Sequence, residues 1–215
     1  MLEEKIRSMY KDRKWDKRVT AVIIEFVYGI QKIYGDKYLD RILNRLIELE
    51  EIREEFNNSK YQASSKKEYI VFFKEINDDE NFKYVLEHEL FHFIQKEGSK
   101  FEEVPEKYQE QVSKNIKFFL FEEAFVQYFT AKINGKNPEY TFVDEKGIIK
   151  KYWLNECYKD NVGLVEELEN KIGAKELFDM YMDDECYETE IEKFDIKYGE
   201  NTFADYVEII CCDKI

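Results

Sequence analysis

Residues 85–94 read Val85-Leu86-Glu87-His88-Glu89-Leu90-Phe91-His92-Phe93-Ile94 and hold both histidines of this 215-residue chain. Residues four apart on an α-helix lie one above the other on the same face, so His88 and His92 can bind one metal ion. Glu89 is rotated by about 100° from His88, close enough to hold a water molecule on that ion without being a ligand. The stretch therefore predicts a helix with a metal site; the alternative is a surface helix with two unrelated histidines.

The flanking sequence predicts that this helix is buried and follows a small sheet. Asp78-Asp79 suits a helix N-terminus, and we expect the helix to run to about Lys96 and to end at Gly98. Its remaining positions are largely apolar, which indicates burial on most sides. Upstream, Glu68 to Glu75 contains the best strand signal of the chain, Tyr69 to Phe73.

The rest of the chain is predicted to be mainly helical, since only two prolines and eight glycines interrupt its apolar spacing. The predicted elements are helices over Asp16 to Tyr34 and Lys37 to Phe56, a long helix with Pro105 in its first turn that ends near Asn134-Gly135, an extended stretch over Tyr140 to Ile149, and C-terminal helices broken near Gly163, Gly173 and Gly199. The predicted fold class is α+β, predominantly helical. We expect an N-terminal helical segment over residues 1–65 and a domain over residues 66–215, packed as one unit.

The composition indicates a folded, acidic protein. Hydrophobic residues make up 44% of the chain and aromatic residues 16%, which is ample for a core. The net charge of −14 argues against nucleic acid or an anionic membrane as a partner. A basic peptide segment is compatible with it, although acidity alone usually reflects solubility.

The cysteines and the start of the chain predict a cytoplasmic protein. The four cysteines, Cys157, Cys186, Cys211 and Cys212, have no CxxC spacing, so they do not indicate a zinc knuckle or a redox motif. Residues 1–5 lack the profile of a signal peptide, and no apolar run is long enough to span a bilayer. We therefore expect reduced thiols and no membrane partner.

A third metal ligand is expected from the long helix downstream. Catalytic zinc usually takes three protein ligands and leaves one position for water. No third histidine exists, so a carboxylate is the expected ligand, and Glu122 and Glu123 lie in an apolar stretch over Phe118 to Val126. A buried carboxylate is costly unless it is paired or bound to a metal. The alternative is that both glutamates reach solvent or pair with lysines.

Together these residues resemble the gluzincin branch of zinc metallopeptidases, in which HExxH on one helix is followed by a ligand glutamate on the next. Residues 123–128, Glu-Ala-Phe-Val-Gln-Tyr, are similar to the Glu-Gly-Leu-Ala-Glu-Tyr type of second-helix motif in that group. The resemblance covers roughly Tyr69 to Asp184. It implies a zincin-like domain and one Zn²⁺ per chain, bound by His88, His92 and Glu123.

Gln127 departs from the family pattern. The family often has an acidic residue at this position, where it would hold the second nitrogen of a ligand histidine and increase the basicity of that ligand. Gln127 can accept the same hydrogen bond through its amide oxygen, but without charge. Either the affinity of the site for the metal is reduced, or another carboxylate accepts the hydrogen bond from the ligand histidine.

The resemblance implies hydrolysis of peptide bonds in a peptide or protein substrate. Zinc would lower the pKa of its bound water and polarise the scissile carbonyl, while Glu89 would act as general base and then as acid towards the leaving amine. One more donor would hold the oxyanion. In related enzymes this donor is often a tyrosine or histidine, so Tyr158 is our first choice, ahead of Tyr152. For the strand at Tyr69 to Phe73 we consider two compatible roles: a sheet edge along which an extended substrate pairs, and an ordinary core strand.

Two functions from different classes follow. The first is an active zinc-dependent peptidase. The second is a metallopeptidase-like domain that binds a partner without cleaving it, as a toxin component, an immunity protein or a regulator; Gln127 and the lack of a histidine donor favour it. A helical domain with an accidental motif is the remaining alternative.

Overall fold

Helices dominate the chain, and a small sheet precedes His88 in the sequence, which is the predicted α+β class. The computed structural model describes residues 2–57, 62–95, 109–135, 139–143, 149–153, 159–182, 196, 197 and 199. Contacts divide the chain into two units: Met1–Glu97 with Thr130–Lys136, and Gly98–Phe129 with Asn137–Ile215. Among the helices described, none is long and apolar enough to cross a membrane.

Three helices begin the first unit: α1 (Leu2–Met9), α2 (Lys17–Tyr34) and α3 (Leu39–Ile47). α2 confirms the predicted helix. The Asp16 carboxylate accepts a hydrogen bond from the Arg18 backbone nitrogen at 2.8 Å, and Gly35, with a φ of 86°, ends the helix. The apolar face of α2 is buried, including Val19, Ile23, Phe26, Val27 and Ile30.

The second predicted helix is shorter than expected, because its last residues form a strand. The pattern predicted a helix over Lys37 to Phe56, whereas α3 ends at Ile47 and β1 occupies Glu51–Glu54. The helical prediction for residues 51–54 was wrong. Ile52 pairs in parallel with Ile70, and such a long-range pairing overrides local helical periodicity.

A three-stranded sheet is formed ahead of the histidine helix, in the order β1-β3-β2. β3 (Tyr69–Phe72) confirms the predicted strand; β1 pairs with it in parallel, and β2 (Ala63–Ser65) pairs with it antiparallel. Residues 70–72 are at most 3% exposed. Because β3 is paired on both sides, it is a central core strand. The prediction that it is a sheet edge open to substrate was wrong.

Helix α4 (Asp79–Ile94) carries both histidines, as predicted. The Asp78 carboxylate accepts a hydrogen bond from the Asn81 backbone nitrogen at 2.8 Å and caps the first turn. Eleven of the sixteen residues are buried, and the helix packs against α2, α3 and β2. Gln95 is already extended, so α4 ends slightly before the predicted position; Gly98 lies outside the described residues.

Arg45 of α3 stabilises the C-terminal end of α4. Its Nε donates to the Phe93 carbonyl at 3.0 Å, its Nη2 donates to the Lys67 carbonyl at 3.1 Å, and the guanidinium lies 4.5 Å from the centre of the Phe93 ring. Only 11% of the side chain is exposed. We expect Arg45→Ala to lower the free energy of unfolding by about 2–4 kcal/mol, since hydrogen bonds from a charged donor and a cation–π contact are lost together. Urea unfolding measures the difference.

The control for this prediction is Arg7→Ala on α1. Arg7 also forms an ion pair, with Glu3, but its side chain is 58% exposed, so its removal should change stability by less than about 1 kcal/mol. Equal losses from the Arg7 and Arg45 variants would contradict the stabilising role of Arg45.

Helix α5 (Gln109–Asn134) is continuous and ends where predicted, with Gly135 at a φ of 67°. Its residues 130–134 belong to the first unit and the preceding ones to the second. Pro105, in the predicted first turn, lies outside the described residues. The predicted extended stretch is an antiparallel pair, β4 (Glu139–Val143) and β5 (Ile149–Trp153).

The second unit also contains α6 (Lys159–Ile172) and α7 (Ala174–Met182), separated as predicted by Gly173, with a φ of 90°. The Phe129 ring of α5 lies 5.4 Å from Phe178 and 5.0 Å from Tyr181 of α7, in edge-to-face contacts. The predicted break at Gly163 was wrong, because this glycine lies inside α6. One glycine costs a helix only about 1 kcal/mol, which buried positions such as Leu168 offset.

The predicted domain boundary after residue 65 falls inside the first unit. β2 ends at Ser65 and pairs with β3, so residues on both sides of that boundary share one sheet. The N-terminal segment, predicted to be helical, also contains β1 and β2. The pairing of β2 with β3 joins the end of the predicted N-terminal segment to the start of the predicted domain.

Candidate metal centre

His88 and His92 lie one turn apart on the same face of α4. Their ring centroids are 4.9 Å apart and their planes are inclined at 71°. His88 is 7% exposed and His92 is half-buried. Helix geometry therefore brings the two imidazoles together as the four-residue spacing predicted.

Glu123 of α5 offers an oxygen to the same place. One ligand atom from each of His88, His92 and Glu123 can be selected so that all three lie within 4.8 Å of one another. Glu123 is half-buried, whereas its neighbour Glu122 is 5% exposed and is not in this group. Of the two glutamates that the sequence offered, the structure brings Glu123 to the histidines.

The three donors suit a zinc ion. Two imidazole nitrogens and one carboxylate oxygen form a known catalytic zinc set, with bonds of about 2.0–2.2 Å and a fourth position for water. A tetrahedral ion with such bonds holds its ligand atoms about 3.4 Å apart, so separations of up to 4.8 Å can close by small side-chain rotations. Calcium and magnesium prefer oxygen ligands alone, so the two nitrogens favour zinc or a similar transition metal.

Glu89 is buried beside this group. It follows His88 directly on α4 and is 7% exposed. Its side chain points about 100° around the helix axis from that of His88, so it is not on the line of the two imidazoles. Glu89 can therefore lie next to the metal position without being a ligand. Its role as a base stays a prediction.

A row of polar residues runs along one face of α5 from Glu123 to the helix end. Glu123, Gln127, Thr130 and Asn134 follow one another at spacings of four, three and four, which keeps them on one face. Gln127 is 3% exposed and Thr130 is fully buried. The hydrogen bond predicted between Gln127 and a ligand histidine stays a prediction.

The last residue of this row contacts α4 beside the histidines. The Asn134 side-chain amide donates to Oε2 of Glu87, which is 1% exposed. Lys83 Nζ lies 3.7 Å from Oε1 of Glu87 and 2.6 Å from Oε2 of Glu25 on α2. Burial raises the pKa of Glu87 to about 7, and the contacts with Asn134 and Lys83 oppose this shift.

Glu87 and Asn134 were not among the predicted site residues. Each has a signal in the sequence that points to it. Glu87 is a charged residue within the largely apolar part of α4, and Asn134 is the last residue of the polar row on α5. Both signals are visible in the sequence, but only the tertiary structure shows that the two side chains meet.

The predicted oxyanion donor, Tyr158, lies outside the described residues, as do all four cysteines. Tyr152, the second choice, lies on β5 opposite Tyr140. Tyr128 of α5 is hydrogen-bonded to Glu169, and burial together with this bond raises the pKa of Tyr128 well above its ordinary value. The identity of the donor stays a prediction.

Comparison of the chain with protein-family models, with curated proteins and with solved structures gave no match. The arrangement of His88, His92 and Glu123 therefore carries the functional argument by itself.

Proposed function

We propose that this protein is a zinc-dependent peptidase of the gluzincin type with a zincin-like fold. The single observation that carries the proposal is the convergence of His88, His92 and Glu123, whose ligand atoms lie within 4.8 Å of one another. Two residues from one helix and one from the next supply the nitrogen and oxygen donors that catalytic zinc requires. The sequence motif and the resemblance predict the same three residues.

In this proposal the chain itself performs the proton transfers. His88, His92 and Glu123 would hold a zinc ion, which when bound would act as a Lewis acid that polarises the scissile carbonyl and lowers the pKa of water. The Glu89 carboxylate takes a proton from the attacking water and gives it to the leaving amine, so that water and a peptide become a carboxylic acid and an amine. Burial of Glu89 excludes bulk water, which strengthens electrostatic effects at this position. A tyrosine, with Tyr158 as first choice, donates to the oxyanion.

The edge of the sheet next to α4 offers a place for an extended substrate. β2 packs against α4, and the parts of the chain that are described show it paired with β3 alone. Lys66 N donates to Tyr69 O at 2.8 Å, and Phe73 N donates to Gln62 O at 2.7 Å. The backbone N–H and C=O groups of successive residues in an antiparallel strand point alternately to one side and the other. Residues 62, 64 and 66 therefore direct these groups towards β3, and the Ser65 N–H points to the outer edge of the sheet. We infer that this N–H pairs with the substrate main chain.

Ser65→Pro tests this pairing. Proline removes the outward N–H without removing a bond to β3, and edge strands tolerate it. We expect kcat/KM to fall by about two- to tenfold, the value of one hydrogen bond. Ser65→Ala, which keeps the N–H, is the control and should retain the wild-type kcat/KM. Equal rates for the alanine and proline variants would place the substrate elsewhere.

The proposed function is tested with the full chain, purified with added zinc, on a peptide library analysed by mass spectrometry. We expect about one zinc per chain by atomic emission, cleavage that a chelator abolishes, and recovery of cleavage when zinc is restored. A protein that binds no zinc would overturn the proposal.

A second candidate function is a metallopeptidase-like domain that binds a partner without cleaving it. The observation that favours it is Gln127, a neutral and 3% exposed residue at the position where related enzymes often carry an acid. A zinc-loaded protein that leaves every library peptide intact would support this candidate against the first.

A further inference from the structure

The C-terminal end of α5, which belongs to the first unit, contacts α4 and α2 of that unit through two adjacent residues. Asn134 donates to the buried Glu87 carboxylate of α4 and to the Thr130 carbonyl of its own helix, the latter at 2.9 Å. At the preceding position, Ile133 packs so closely on α2 that a β-carbon at Gly29 would lie 2.9 Å from Cβ of Ile133. Only glycine permits this approach, so both the rotation and the axial position of the helix end are restricted.

Asn134 and Glu123 lie on the same side of α5. Eleven residues of α-helix advance about 17 Å and turn about 1100°, which is about 20° more than three full turns. A rotation or a slip at Asn134 therefore moves Glu123 by a comparable amount, since α5 is continuous between them. On α4, Glu87 directly precedes His88, so the hydrogen bond joins the two helices that carry the metal ligands.

We propose that Asn134 and Glu87 are positioning residues: their hydrogen bond sets the register of α5 against α4, and so brings the Glu123 carboxylate to the ion held by His88 and His92. This inference rests on the proposed metal site. Lys83, which contacts Glu87 and Glu25, holds the Glu87 side chain on the side of α4 that receives Asn134. The role is separate from catalysis, because neither residue needs to touch substrate.

Metal affinity tests this role in the full-length protein. Zinc binding by Asn134→Ala is measured by competition with a chromophoric chelator, and cobalt is used as a spectroscopic probe. We expect at least about a tenfold loss of zinc affinity, the effect typical of residues that orient ligands, and an altered cobalt absorption spectrum. Ile6→Val is the control: it removes a methyl group from a fully buried side chain of α1 and should lower stability without changing either metal readout.

Exchanging the amide and the carboxylate between positions 134 and 87 distinguishes a positioning role from a general loss of stability. Asn134→Asp places two carboxylates against each other and should weaken zinc binding as much as Asn134→Ala. Adding Glu87→Gln restores one amide donor and one carboxylate acceptor in exchanged positions, but not the donation from residue 134 to the Thr130 carbonyl. The double variant should therefore bind zinc more tightly than Asn134→Asp alone. If the single variants fail to fold, the proposal is tested with the double variant. Zinc affinity near that of the wild type supports the proposal, and a tenfold loss of zinc affinity overturns it.

Wild-type zinc affinity in Asn134→Ala, with an unchanged cobalt spectrum, would overturn the positioning role. If the proposed metal site is wrong, the result is different. Either Glu123→Gln binds zinc as tightly as the wild type, or the wild type binds no zinc. The positioning role is judged only when the wild type binds zinc and Glu123→Gln binds it more weakly.

Discussion

Glu89→Gln is expected to bind zinc as tightly as the wild type and to hydrolyse peptides about 10²–10⁴-fold more slowly, the usual contribution of a general base. Glutamine has nearly the same shape as glutamate, so a side chain that is 7% exposed keeps its packing. Its amide cannot take a proton from water at neutral pH and cannot deliver one to the amine. The measurements are kcat and kcat/KM on a peptide found by library cleavage, together with zinc content.

The matched control for this variant is Glu122→Gln. Glu122 is a buried glutamate with 5% exposure, but it lies outside the group formed by His88, His92 and Glu123. We expect it to retain zinc and peptidase activity. If Glu89→Gln and the wild type release the same products at the same rate, Glu89 is not the base, and a contaminating peptidase becomes the explanation to test.

Glu123→Gln is expected to weaken zinc binding by at least about 100-fold. Loss of a residue that only orients a ligand typically costs 10–100-fold, so loss of a direct ligand should cost at least as much as the upper end of that range. A neutral amide oxygen lacks the charge with which a carboxylate binds zinc. Chelator competition measures the dissociation constant, and Glu122→Gln, the adjacent carboxylate, should leave it unchanged.

Thermal unfolding gives a second readout of the same site. A metal present at 100 times its dissociation constant stabilises the native state by about 2.7 kcal/mol. Chelation should therefore lower the Tm of the wild type and of Glu122→Gln, but have little effect on Glu123→Gln. Loss of zinc from Glu122→Gln in place of Glu123→Gln would exchange the roles of the two glutamates.

Local sequence signals predicted α4 and the end of α5, which carry the site, and α2, which packs against α4. The end of α2 follows from Gly35, the start of α4 follows from the Asp78 cap, and α5 ends at Asn134-Gly135 as expected. These predictions succeed because helix caps and 3.6-residue periodicity act within a few residues. They fail where the secondary structure depends on pairing with a strand that is distant in the sequence. At residues 51–54, pairing with β3 overrides a helical pattern.

The relation between elements was not predictable from the same signals. The sequence indicated the strand at Tyr69 to Phe73, but its place in the middle of the sheet depends on two neighbours that have weak strand signals of their own. The contact between Glu87 and Asn134 joins residues 47 positions apart. No local pattern predicts a contact between residues so far apart.

The sequence by itself determined that two imidazoles share one helical face with Glu89 beside them, because a four-residue spacing has one geometric result on an α-helix. It also restricted the third ligand to Glu122 or Glu123. The resemblance to the second-helix motif favoured Glu123, and the tertiary structure shows that an oxygen of Glu123, and not Glu122, belongs to the group formed with the histidines. Neighbouring residues point about 100° apart around a helix, so the rotation of α5 has to be known before the two can be distinguished by geometry. Helix rotation is fixed by contacts such as Ile133 on Gly29, which form only when distant parts of the chain pack together.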